Sequence, residues 1–204
     1  MERIKELYHI LELIKKHDLP LSPILEYAIK EKERQYSESI SPADTDVPVK
    51  KSDVKQAKGL SDYANDFASL SVAVSKGKKL PHKAILLLGI MQLIEDGELE
   101  GNKIPLDKSI ANAFVKSWDK YFDTKSPSVW TPFYHLKGEQ FWHFKACESD
   151  KMLDMLLGFG GTPSIGKMRP VIKYAYFDDA LYDFMIDKRC CEVLRKVLID
   201  NYLS

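Results

Sequence analysis

Leu80-Pro81-His82-Lys83-Ala84-Ile85-Leu86-Leu87-Leu88-Gly89-Ile90-Met91-Gln92-Leu93-Ile94-Glu95-Asp96-Gly97 is the stretch on which the fold turns. Residues 82 to 95 read as one helix, with Ile85, Leu86, Leu87, Leu88, Ile90, Met91 and Ile94 on most of its circumference. A helix apolar on nearly every side has to be enclosed by other elements, so this segment is expected at the centre of a helical domain. Pro81 suits its start, because the first helical turn has no partner for the N–H that proline lacks and the fixed φ is already helical. Asp96-Gly97 supplies the stop.

Upstream of this core, Ser61 is expected to cap a helix carrying Tyr63, Phe67, Leu70 and Val74, ending in the Ser75-Lys76-Gly77-Lys78-Lys79 turn. Downstream, residues 98 to 104 form a short extended turn, and Asp107 caps a helix through Phe114, Val115, Trp118, Tyr121 and Phe122. From Val129 to Phe144 the aromatics alternate about Lys137-Gly138-Glu139, which is the pattern of a small β-hairpin. Helices are then expected at 150–157, 164–175, 179–185 and 188–201, with the Gly158-Phe159-Gly160-Gly161 loop before the second of these.

Nearer the N-terminus, Ile4, Leu7, Tyr8, Leu11 and Ile14 recur at helical spacing until Pro20. Ser22-Pro23 then starts a second helix with Ile24, Leu25, Ala28 and Ile29. Residues 36 to 58 are rich in Ser, Pro, Asp and Lys without an apolar period, as in a linker. The expected fold is therefore mainly α: a helical hairpin at 1–35, a linker at 36–58, and a helical domain at 59–204 carrying one small β-hairpin.

Hydrophobic residues make up 45% of the 204 and charged residues 29%, which is globular rather than disordered or fibrous. The run Ala84 to Met91 is far shorter than the roughly 20 residues of a membrane span, and Met1 leads into a charged helical pattern, so a soluble cytoplasmic protein is expected. Thirty basic residues balance thirty acidic ones, and any electrostatic preference has to come from their distribution. Between residues 50 and 83 the lysines at 50, 51, 55, 58, 76, 78, 79 and 83 face only Asp53, Asp62 and Asp66, making this the basic side. Cys147, Cys190 and Cys191 lack zinc-site spacing and read as buried or incidental thiols.

No HNH-type metal site, Walker loop or nucleophile elbow occurs, and the histidines never fall at HxH or HExxH spacing. Neither a catalytic centre, a metal nor a cofactor is expected in this chain. Two constellations remain. Pro81-His82-Lys83 opens a helix, where unpaired N–H groups and the positive dipole end suit phosphate. Trp130-Thr131-Pro132-Phe133-Tyr134-His135-Leu136, followed by Phe141-Trp142-His143-Phe144, is dense in aromatics; core packing explains Phe133, Leu136 and Trp142, while Thr, Pro, Tyr and His could face a ligand.

Together with Asn102-Lys103-Ile104-Pro105-Leu106, Tyr174-Ala175-Tyr176-Phe177-Asp178-Asp179-Ala180-Leu181 and Leu198-Ile199-Asp200-Asn201-Tyr202, these blocks occur in an order that resembles the sulfur-binding domains of phosphorothioation-dependent HNH restriction endonucleases, over about residues 59 to 203. The resemblance implies recognition of double-stranded DNA in which sulfur replaces a non-bridging phosphate oxygen, in the service of a restriction or defence system. It implies backbone or base contact by His82, Lys83 and Arg169, with Lys78 and Lys79 adding salt-sensitive attraction. The sulfur pocket maps onto Thr131, Pro132 and His135 beside Tyr134, with Thr131 standing where the family has Tyr and Tyr134 where Trp is common. A nuclease domain or subunit, or a second copy of the chain, would be the protein partner; no membrane is implied. Two other readings stay open: a DNA- or protein-binding module of this fold that does not read sulfur, and the non-catalytic part of an HNH-type nuclease.

Overall fold

The structure is a computed structural model that describes residues 58 to 203 apart from Lys76 and Phe159. The expected helical hairpin at 1–35 and the linker up to residue 57 lie outside the described residues. Helix α1, Leu60–Ala68, comes first, then a two-strand ribbon of β1, Val74–Ser75, and β2, Lys78–Lys79. Helices α2, His82–Glu95, and α3, Lys108–Tyr121, follow. Next are the short α4, Trp130–His135, a 3-10 turn at Leu136–Gly138, and strand β3, Trp142–Ala146. Helices α5, Asp150–Leu157, and α6, Ile165–Met168, lead to β4, Ile172–Phe177, and the chain closes with α7, Asp179–Ile186, and α8, Lys188–Tyr202. Among the described residues no helix is long and apolar enough to cross a membrane.

The mainly helical architecture follows from α2. Between Pro81 and Leu93 every residue except His82 and Gln92 is buried, and Ile85, Leu87, Ile90 and Met91 expose nothing. Helix α3 packs along it most extensively, and α8, α4 and α7 cover the other sides. The close α2–α3 approach needs Gly89: a Cβ there would lie 3.0 Å from the Ala113 carbonyl oxygen and 3.3 Å from Ser117 Oγ. Asp107 caps α3 as expected, its carboxylate accepting the Ser109 N–H at 2.9 Å, and Asp187 caps α8 through the Cys190 N–H.

The β-structure is placed differently from the sequence reading. Residues 129 to 144 do not fold back on themselves; the first half is helix α4, and only β3 is extended. Its antiparallel partner is β4, with Trp142 opposite Phe177 and Phe144 opposite Ala175, within a segment expected to be helical through residue 175. The aromatic alternation concealed a second period, since Val129, Phe133 and Leu136 stand at i, i+4 and i+7 and all three are buried. On the far side of β4, Ile104 bridges Ala175 through two backbone bonds, and the Asn102 side-chain amide pairs with the N–H and C=O of Phe177. Helix α1 also stops earlier than expected, at Ala68, and Val74 lies exposed in the ribbon, where Gly77 turns the chain at φ +76°.

Gly89→Val should drive its added methyls into the α3 backbone and cost about 2 kcal/mol, seen as a fall of roughly 6 °C in Tm. An unchanged Tm would show that α2 and α3 separate without loss.

Candidate functional site

The start of α2 and the length of α4 face each other across one open cavity of about 560 Å³. Its lining takes His82 and Lys83 from α2, Thr131, Pro132 and His135 from α4, and Lys137 and Gly138 from the 3-10 turn. The segment after α1 completes it with Ser71, Val72 and Ala73, together with Leu80. Two sequence constellations that shared no local signal thus meet at one site. Pro132 falls in the first turn of α4, where a missing N–H costs nothing, and its ring is buried except toward the cavity.

The lining is mostly apolar, and both of its lysines are engaged by neighbouring groups. Lys83 Nζ lies 2.6 Å from Glu139 Oε1, with the two side chains only 9% and 10% exposed. The same oxygen accepts the Ser71 N–H at 3.0 Å, so one carboxylate holds the α2 start to the loop after α1. Lys137 Nζ donates to the Leu157 carbonyl and, at 2.8 Å, to the Tyr134 hydroxyl. The His135 ring hydrogen-bonds Thr162 Oγ1 at 2.8 Å through Nε2, bringing the loop after α5 to the cavity rim. Burial lowers the His82 pKa; burial, then the nearby Lys83 and Lys137 charges, lower that of His135. Both rings are neutral at neutral pH and would meet an anion as hydrogen-bonding groups, not as cations.

Tyr134 is a correction to the expected pocket: its ring is fully buried in the core and its hydroxyl donates to the Leu156 carbonyl at 2.7 Å. It faces the core together with Phe133 and does not join the lining. Arg169 is exposed just after α6, its Nε donating to the Leu106 carbonyl at 3.2 Å, and it does not join the lining. Lys79 lies over the Tyr202 ring, 5.0 Å from its centre, on the ribbon that Ala73 and Leu80 join at its base; Lys78 belongs to the same strand. Sequence reasoning missed Glu139, taken as a turn residue, because nothing local pairs it with Lys83. It also missed the Ser71-Val72-Ala73 wall, which reads as the end of a helix. Among the described residues, no three His, Cys, Asp or Glu side chains group as metal ligands.

The two lowered histidines set a pH dependence. Each has a folded pKa below 6.5, so the unfolded chain binds more protons from there downward, and stability present above 6.5 is lost as pH falls through the folded values. Between about pH 7 and about pH 5, Tm should fall more for the native chain than for His82→Gln/His135→Gln. Parallel curves would mean that both rings protonate freely in the folded protein. No protein-family model and no curated protein matches the chain.

Proposed function

We propose that the chain reads phosphorothioate-modified double-stranded DNA, taking the modified backbone into this cavity. One observation carries the reading: His82 and Lys83, Thr131, Pro132 and His135 line a single, largely apolar space. Sulfur in place of a non-bridging oxygen leaves the anion in place but makes one atom larger, softer and more weakly hydrated. The Pro132 ring, the Thr131 methyl and the side chains of Val72, Ala73 and Leu80 can contact sulfur without loss, whereas an ordinary phosphate oxygen there gives up water and gains nothing. The volume is many times that of one water molecule, about 30 Å³, so it suits a backbone segment with its sugar and not sulfur alone. Lys78 and Lys79, on the ribbon beside Ala73 and Leu80, supply attraction that is independent of sulfur and weakens with salt.

Binding of two duplexes that differ by one phosphorothioate tests this. Discrimination of about 1–3 kcal/mol, roughly 5- to 150-fold in Kd, is expected, as for small-group selection by apolar pockets. Equal affinities would overturn the sulfur reading and leave a binding module of another kind. Pro132→Asp places a carboxylate beside the anion and should abolish the preference. A folded Pro132→Asp protein, judged by its thermal transition, that keeps the full preference removes Pro132 from the site.

A further inference from the structure

We infer that Glu139 is a specificity-determining residue, which keeps the cavity selective by neutralising Lys83; the inference rests on the sulfur reading above. Lys83 was expected to meet DNA phosphate, yet its ammonium is committed to Glu139 at 2.6 Å in surroundings almost closed to water. A lysine held in this way contributes its stem to the wall, and its charge is paired with a carboxylate. His82 and His135 are neutral, and the Lys137 ammonium is turned to the Leu157 carbonyl and the Tyr134 hydroxyl, so Glu139 keeps Lys83 from adding a second lysine charge to the lining. That matters because a free ammonium donates to a phosphate oxygen more strongly than to the softer sulfur, so it would offset the water that oxygen gives up in the cavity and raise affinity for ordinary phosphate more than for phosphorothioate. Attraction is left to the exposed ribbon, and selection to the cavity.

Glu139 also anchors the Ser71 N–H, so the informative change keeps an acceptor and removes only charge. Glu139→Gln does this. In the full chain it should raise affinity for the unmodified duplex at least about three-fold more than for its phosphorothioate twin, and steepen the salt dependence by about one released ion. The double variant Lys83→Met/Glu139→Gln has the native charge balance and should regain most of the native preference at lower total affinity. A preference unchanged by Glu139→Gln overturns the inference and leaves the sulfur reading standing. A double variant as unselective as the single one overturns it too, because the freed ammonium is then not the cause. If Glu139→Gln shows no cooperative thermal transition, the double variant decides: preference kept supports the inference, preference lost overturns it. A native chain without preference overturns the sulfur reading and the selectivity role of Glu139 together.

Discussion

Helix α2 has almost no face that water can touch, and the arrangement of the domain follows from the need to cover it. Burial of each large aliphatic side chain contributes about 1.5–3 kcal/mol, and α2 carries a run of them with almost no polar relief. Helices α3, α4, α7 and α8 are the cover. The cost of this arrangement appears at the first turn, where Lys83 is drawn into the interior along with its apolar neighbours. A buried ammonium needs a partner, and Glu139, directly after the 3-10 turn, supplies it. The same carboxylate takes the Ser71 N–H, so the α2 start, the turn after α4 and the loop after α1 are tied at one point. The cavity is the space these three elements leave open.

A second constraint fixes the wall of that cavity. The aromatic rings of 130–144 are used as core: Phe133 meets Trp142 edge-on at 5.3 Å, and Trp142 meets Phe177 at 5.3 Å. Once Phe133, Tyr134 and Leu136 face inward from a helix, Thr131 and His135 face outward, and Pro132 is held between them with its ring toward the cavity. The core packing and the cavity wall therefore come from opposite sides of the same short segment. The Tyr202 hydroxyl steadies the opposite wall, accepting the Leu70 N–H at 2.8 Å and donating to the Ala68 carbonyl. Ser71 to Ala73 follow directly.

Electrostatically the site divides its labour by depth. Lys79 of the ribbon lies at the surface, where charge attracts an anion over distance and is screened by salt. Along the cavity, burial lowers the pKa of both histidines, the lysine charges add to this at His135, and Glu139 answers Lys83. A weakly hydrated, polarisable group suits such a space better than a strongly hydrated one.

The amino-acid sequence by itself determined the helices whose signals are local. The extent of α2, the Asp107 cap of α3, and helices α5, α7 and α8 were legible because apolar period and capping residues act within one or two turns. It also marked His82, Lys83, Thr131, Pro132 and His135 as candidates, by residue type and by resemblance. Tertiary structure decided the rest. Residues 129 to 136 fit a strand period and a helix period alike, and burial of Val129, Phe133 and Leu136 selected the helix. Strand β3 pairs with β4, not with its sequence neighbour, because residues 130 to 138 are helical and offer no strand edge. The pairing of Glu139 with Lys83 depends on two segments, 56 residues apart, meeting in space. No local rule contains that distance, since a long-range ion pair forms only after the apolar core has brought its partners together.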